Sequence, residues 1–492
     1  MPLSSKAPYL WTALLLLLGC LSACDKETME RALPAFGPAA ADAQGGTWRT
    51  VVLESASEVR IPAAATTGSA AYQQEISQIV QLQASLMDTD RALINQWRGS
   101  GILRWNEKLR ALVAKYNLPP DPDADSVPPF SFAHPAYAAR AYAAFNVAVY
   151  DAMVSCWYYK FLNMRPQPAV ISGQIQSLEP YQIELPGYPS EDAVVAQVGY
   201  RLLKALFPQD SASLLEMANA QKKAKLLSGI ATFSDIAGGE AIADFVTDKV
   251  LARLRKDGLE QALRQVAQQK LLPAADTILR ISGGPRENPE ISSQPPAFFD
   301  DIILWTLSVA ERDSLRPGPP PAPGSPGFNE AQQELQRYRQ EPGAAAQLVA
   351  KQWADSAGSC TPAGHWNEIA CASIARQRPG ELRVARALCL LNLALCDAGV
   401  CALEAGARYA YLRPAGQPAS ASCHAAFAGA AATVLGYLFP ADAQRFSDMA
   451  GEASLSRIYS GAQYRFEADS SLQYGKEIGS FAVKLGQADG SR

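Results

Sequence analysis

Apolar residues recur at helical spacing along most of the chain. In "ARAYAAFNVAVYDAMVSCW" (139–157) and "AAFAGAAATVLGYLF" (425–439), apolar side chains come three or four positions apart. Such spacing buries one face of an α-helix. Runs of β-branched residues are few, and glycine and proline cluster between the periodic stretches. The pattern therefore predicts an all-α fold made of helical bundles.

The helical pattern occurs twice in the sequence. "AARAYAAFNVAVYDA" (138–152) matches "VARALCLLNLALCDA" (384–398), with arginine, asparagine and aspartate at the same three places. "PSEDA" (189–193) matches "ASCHA" (421–425), and from there an offset of 232 residues holds without a gap as far as Gly229 and Gly461. Several ordered matches of this kind indicate an internal duplication. We predict repeat 1 at 47–257, a linker at 258–304, repeat 2 at 305–487 and a short tail at 488–492.

The first 46 residues do not follow the helical pattern of the repeats. Lys6 precedes the apolar run "LWTALLLLLG", which is followed by "LSAC" at 21–24. A positive start, a short apolar region and small residues before a cut indicate a signal peptide. The "LSAC" ending resembles a bacterial lipobox, and this resemblance implies that Cys24 carries a lipid. A plain secretory peptide is the alternative. We expect a protein of the bacterial cell envelope, anchored only by lipid, with residues 25–46 as a flexible tether.

Composition narrows the possible partners and chemistry. The 492 residues include 44 Lys and Arg against 48 Asp and Glu, a net charge of −4. Without a basic excess, nucleic acid is not an expected partner. Beyond Cys20 and Cys24 the chain has seven cysteines, whose pairing the sequence leaves open, and no cysteine–histidine spacing indicates a metal. A protein partner remains undefined. The chain has only three histidines: His134, His365 and His424.

Repeat 2 contains an ordered set of polar motifs. "RP" at 413–414 is followed by "SCHA" at 422–425, "SR" at 456–457 and a glutamine at 463. This set resembles the signature of vanadium-dependent haloperoxidases and type 2 phosphatidic acid phosphatases. The surrounding sequence resembles their bacterial haloperoxidase-like branch. The resemblance implies paired helical bundles in which one bundle holds phosphate or vanadate. Guanidinium, ammonium and hydroxyl groups suit such an oxyanion because they donate charge-assisted hydrogen bonds.

The resemblance assigns roles to individual residues of repeat 2. It implies that the oxyanion ligands are Arg413, Ser422, the backbone of Cys423, and Arg457. His424 matches the acid–base histidine, whereas Gln463 replaces the histidine that attacks phosphorus or binds vanadium. The lysine of the family motif falls on Gly406, and Glu467 stands at the orienting acid. Because an amide is neither a comparable nucleophile nor a strong metal ligand, Gln463 argues against the inherited chemistry.

Repeat 1 departs further from the family motif. Its matching residues, which we predict to be inactive, are Lys160, Arg165, Ser190, Asp192, Lys225 and Ala231. Lys160 lies too few residues before Arg165 for the family spacing, and Ala231 takes the nucleophile position. We interpret Lys160 and Lys225 as surface residues, and Glu191 with Asp192 as a solvated helix start.

Two functions remain open from the sequence. The favoured hypothesis is an oxyanion-binding or scaffold protein that lacks histidine-nucleophile chemistry and needs no cofactor, with vanadate or phosphate binding left open. The alternative is an active phosphate-ester hydrolase in which His424 activates water. Arg413, Arg457 and Ser422 would then clamp the phosphate. A third interpretation is that these polar groups are buried and satisfy one another.

Overall fold

Two long apolar helices lie at the centre of the structure. In the computed structural model, described residues are 41–118, 132, 134–180, 184–262, 302–409, 411–412, 418–419 and 422–491. Helices Pro135–Asn163 (α4) and Glu381–Tyr409 (α13) pack against each other. Both helices are buried along most of their length because each carries apolar residues on all of its sides. The described residues form one compact unit.

Repeat 1 forms a helical bundle. Its other helices are α1 (Ala70–Ala84), α2 (Asp88–Gln96), α3 (Gly101–Tyr116), α5 (Pro168–Ile171), α6 (Glu191–Leu206), α7 (Ser211–Leu227) and α8 (Phe233–Leu254). Side-chain caps set several helix starts: Ser69, Ser100, Ser190 and Thr232 each accept a hydrogen bond from a first-turn backbone N–H. Helices α4, α6, α7 and α8 pack together as the bundle.

Repeat 2 forms a second bundle from α13 and three later helices. Its elements are α9 (Val309–Leu315), α10 (Pro326–Gln340), α11 (Ala344–Gln352), α12 (Thr361–Gln377), β1 (Tyr411–Leu412), β2 (Pro418–Ala419), α14 (Cys423–Leu438), α15 (Ala443–Tyr459) and α16 (Arg465–Gln487). β1 and β2 form a short antiparallel pair. Helices α14 and α16 approach closely, since a Cβ on Gly475 would lie 2.0 Å from the Ala426 carbonyl oxygen. The all-α prediction is confirmed.

The same polar contacts recur in the two bundles. Asn106 and Asn146 exchange amide hydrogen bonds of 3.1 and 3.0 Å, and Asn367 and Asn392 exchange two of 2.7 Å. The matched aspartates each accept hydrogen bonds from the extended chain before the first helix: Asp151 from Val51, Val52 and Leu53, and Asp397 from Trp305 and Thr306. These equivalent contacts support the two-copy interpretation.

The fold extends beyond the predicted repeat boundaries at both ends. Asp42, in the predicted tether, pairs with Arg383 at 2.6 Å, and Gly45 and Gly46 are buried against α4. Asp489, in the predicted tail, is 4% exposed and pairs with Arg386 at 2.6 Å. Residues 41–46 and 488–491 therefore belong to the packed structure, because each supplies a carboxylate or small residues to the bundle surface.

Within the described residues, one helical segment, Glu381–Gly406, is long and apolar enough to cross a membrane. In the structure 89% of its most apolar window is buried within the protein. Its apolar character is explained by its packing against α4 and against the other helices of repeat 2.

Candidate oxyanion site

The basic residues of the repeat 1 motif are all ion-paired with carboxylates of the chain itself. The Lys160 ammonium lies 2.7 Å from Glu191, and the Arg165 guanidinium pairs with Asp235. The Lys225 ammonium lies 2.9 Å from Glu179 and 3.5 Å from Asp192. Each cation that the family would use for an oxyanion therefore has an internal anion.

The surface interpretation of Lys160 and Lys225 is wrong. Lys160 is 0% exposed and Lys225 is 4% exposed. Both ammonium groups point to the first turn of α6, where Glu191 and Asp192 supply negative charge beside the helix N-terminus. Burial alone would lower the pKa of Lys225, but the charges of Asp192 and Glu179 raise that pKa above its ordinary value.

A hydrogen-bond network completes the buried charges around Lys225. Its ammonium also donates to the Trp97 carbonyl oxygen at 2.9 Å, and Ser228 Oγ donates to Glu179 at 2.6 Å. The Gln221 amide donates to Asp192 at 2.9 Å. Burial, with Glu191 and Glu179 nearby, raises the pKa of Asp192 to about 6, although Lys225 opposes this rise. An additional oxyanion would meet these carboxylates, so the repeat 1 residues do not fit one.

Ser190 and Ala231 have structural surroundings in repeat 1. Ser190 Oγ accepts a 3.3 Å hydrogen bond from the Ala193 backbone N–H and caps α6. Ala231 is buried in an apolar cluster with Ala193 and Ile236. The position that the family resemblance aligns with the nucleophile therefore carries a methyl group packed in the core.

Two carboxylates of this region were missed by the sequence analysis. Glu179 lies in the loop before α6 and has no motif to mark it, yet it binds Lys225 and Ser228. Glu381 begins α13 in repeat 2 and accepts a 3.0 Å hydrogen bond from Ser100 Oγ in repeat 1. Burial raises the pKa of Glu381 to about 7, with Asp192 and Glu191 adding to the effect. Only the packing of the two bundles brings this side chain here.

In repeat 2, the motif serine caps the helix that carries the motif histidine. Ser422 Oγ accepts from the Ala425 backbone N–H at 3.2 Å, and the Ser422 N–H donates to Ser471 Oγ at 2.9 Å. Cys423, half-buried, is the first residue of α14. Arg413 lies outside the described residues, as does Cys24.

His424 lies in a position that strongly disfavours its charged form. Burial and the neighbouring positive charge of Arg457 lower the pKa of His424 to about 3, although a hydrogen bond with the Ala354 backbone opposes the shift. Its Nε2 atom is buried and, within the described part of the chain, has no hydrogen-bond partner. At neutral pH the imidazole is therefore uncharged beside a guanidinium.

Gln463 is held next to Arg457 by the backbone. The Gln463 N–H donates to the Arg457 carbonyl oxygen at 3.1 Å, in a turn where Gly461 has a positive φ of 67°. Gln463 is 6% exposed, and among the described residues nothing hydrogen-bonds to its Oε1. The structure thus buries the neutral amide at the place where the family motif has its second histidine.

The acidic residues near the repeat 2 motif are engaged in other contacts. Glu467 accepts a 2.9 Å hydrogen bond from the Tyr464 N–H and caps α16. Glu404 binds Arg316 at 2.7 Å and Arg408 at 2.9 Å. Arg408, which the sequence places near Gly406, is therefore ion-paired with Glu404.

Comparison with known proteins identifies the fold. No protein-family profile and no curated protein matches this sequence. The crystal structure of the first bacterial vanadium-dependent iodoperoxidase superposes with a TM-score of 0.54 at 17% identity, covering 77% of this chain and 95% of that chain. A holo-type bacterial vanadium-dependent chloroperoxidase gives 0.46 at 11% identity, covering 76% of this chain and 97% of that one.

Proposed function

We propose that this chain, which has the fold of the vanadium-dependent haloperoxidases, binds a small tetrahedral oxyanion in repeat 2 without performing histidine-nucleophile chemistry. It would do so in the bacterial cell envelope, anchored by lipid at Cys24. The observation that carries this proposal is the buried Nε2 atom of His424, which has no hydrogen-bond partner among the described residues and lies within the field of the charged Arg457. The Arg457 guanidinium can donate hydrogen bonds to an anion, and the charge of that anion would favour protonation of His424, whose Nε2 could then donate as well.

The repeat 1 site supports the proposal that the two repeats have different roles. Its cations are neutralised by Glu191, Asp235 and Glu179, so its motif residues contribute to the buried core. In this proposal repeat 1 is a scaffold for repeat 2. The scaffold role alone, with no anion bound anywhere, is the outcome to be distinguished by experiment.

The residues present do not fit vanadate as a resident cofactor. Gln463 offers an amide at the position where imidazole would bind the metal, and Gly406 offers no ammonium. We therefore assign no vanadium chemistry to the chain. The same change removes the nucleophile needed for a phosphohistidine step.

We expect no turnover above background in two assays: hydrolysis of p-nitrophenyl phosphate, and bromide oxidation with vanadate and hydrogen peroxide. The physical reason is that Gln463 supplies no nucleophile, and a histidine of pKa about 3 is a weak base at neutral pH. Phosphatase activity that disappears in the His424→Ala variant would contradict this and favour the hydrolase alternative.

Phosphate binding should be visible at His424 itself. The three histidines allow imidazole NMR signals to be assigned with single His→Gln variants. We expect added phosphate to raise the pKa of His424, because the anion offsets the charge of Arg457. An Arg457→Met variant should lose this response, whereas Arg465→Met, which removes a half-exposed arginine paired with Glu334, should keep it. A His424 signal unchanged by phosphate would leave only the scaffold role.

A further inference from the structure

A cavity opens in repeat 2 beside the end of α13. Its volume is about 160 Å³. The walls include the proline-rich segment 317–321, Gly406, Tyr409, Phe466, Glu467 and Ser470. Ser422, His424, Arg457 and Gln463 are not among the lining residues, whereas Gly406 and Glu467, which the family resemblance aligns with the motif lysine and the orienting acid, are.

In repeat 1 the corresponding place is filled by the chain itself. The Tyr188 ring is 1% exposed and packs on Gly238, where a Cβ would lie 2.8 Å from the ring. The Arg165 guanidinium stacks on the same ring at 4.5 Å. The Tyr188 hydroxyl donates a hydrogen bond to the Pro62 carbonyl oxygen. Burial and the negative charge of Asp235 raise the pKa of this hydroxyl. A phenol side chain, that of Tyr188, thus occupies this place in repeat 1.

The residues around that phenol differ in repeat 2. The offset of 232 aligns Gly238 with Ser470 and Asp235 with Glu467, and the offset of 246 that relates α4 to α13 aligns Lys160 with Gly406. All three of these repeat 2 residues line the cavity. Tyr188 itself aligns with Ser420, which lies outside the described residues. Repeat 2 therefore lacks both the tyrosine ring and the lysine stem at these positions in its sequence.

The lining defines the chemistry of a ligand. A cavity of about 150 Å³ with apolar walls is large enough for a benzene ring. Prolines, Tyr409 and Phe466 provide such walls, and aromatic contacts add to the attraction of a ring. The Glu467 carboxylate, 7% exposed, and the Ser470 hydroxyl are the polar groups that can accept a hydrogen bond.

The approach to the cavity disfavours anionic ligands. An open groove shares Pro321 and Phe466 with the cavity. Its charged lining consists of three acids and two bases: Glu330, Glu334, Asp469, Arg337 and Arg465. Together with the Glu467 carboxylate inside the cavity, these residues give the groove and the cavity an excess of negative charge. Neutral or cationic aromatics are therefore preferred over carboxylates.

We propose that this cavity binds a phenol-sized aromatic molecule bearing one hydroxyl or amine donor, held by ring contacts and a hydrogen bond to Glu467. The ligand would occupy in repeat 2 the place that Tyr188 fills in repeat 1. The two proposals are tested with different probes, phosphate for the oxyanion site and a neutral phenol for this cavity, so either one can fail without the other.

The proposal is tested by ¹⁹F NMR of the full chain with 4-fluorophenol as the probe. We expect saturable binding, displacement by phenol, and no comparable binding of 4-fluorobenzoate. The Ser470→Leu variant fills the cavity and should weaken binding at least tenfold. Ser480→Leu makes the same change farther along α16, outside the cavity lining, and should bind normally. Equal affinity in both variants, or no binding by the unmodified chain, would overturn the proposal.

A second variant keeps the test decisive if Ser470→Leu does not fold. Glu467→Gln preserves the shape of the side chain and suits a capping position. It should weaken 4-fluorophenol at least threefold while leaving fluorobenzene, which has no donor, unchanged. Equal effects on the two probes would overturn the hydrogen-bond assignment and with it the proposed ligand class.

Discussion

Replacing Lys225 with methionine should lower the free energy of unfolding by about 3–5 kcal/mol, the usual cost of breaking a buried ion pair. The ammonium is 4% exposed and lies 2.9 Å from Glu179 and 3.5 Å from Asp192. Its removal leaves the carboxylates of Glu179 and Asp192, whose side chains are 5% and 17% exposed, without this cation. Urea denaturation at pH 7, followed by circular dichroism, measures the change.

The same helix provides a matched control for this prediction. Lys223 is also ion-paired, at 2.8 Å from Asp90, but its side chain is 56% exposed. Lys223→Met should therefore change stability by no more than about 1 kcal/mol. The double variant Lys225→Met/Glu179→Gln should recover part of the loss, because it removes one of the uncompensated charges. Similar losses for Lys223→Met and Lys225→Met would contradict the buried-charge account.

The second large effect concerns acid stability and His424. Its pKa is about 6.5 in the unfolded chain and about 3 in the fold. Between these values the unfolded state binds the extra proton, so stability falls as pH falls, by about 1.4 kcal/mol per pH unit. Relative to His424→Gln, the unmodified chain should therefore lose about 2–3 kcal/mol between pH 7 and pH 4.5.

A second histidine supplies a control of opposite sign. Burial alone would lower the pKa of His365, but its 3.0 Å contact with Asp355 raises that pKa above the ordinary value. Its contribution to stability is present at low pH and is lost as pH rises through the folded-state pKa. The difference in unfolding free energy between His365→Gln and the unmodified chain should therefore change with pH in the opposite direction to the difference for His424→Gln. Parallel curves for His424→Gln and the unmodified chain would show that His424 is not held neutral by the fold.

The helical architecture was predictable because it depends on local periodicity. Apolar spacing identified α4, α13 and α14, and Glu191 with Asp192 marked the start of α6. Glu179 and Glu381 could not be predicted as parts of the repeat 1 network. Each reaches its partner across a long sequence separation, and no spacing rule marks such a contact.

The sequence by itself determined the helical fold, and it predicts the duplication and the absence of the family histidine at Gln463 and Ala231, since these depend on residue identity and short-range spacing. Only the tertiary structure decided what the remaining motif residues do. It buried Lys160 and Lys225 against carboxylates, and it placed Arg457 beside His424. The charge state of a buried group depends on desolvation and on its neighbours in space, and both are set by how the bundles pack.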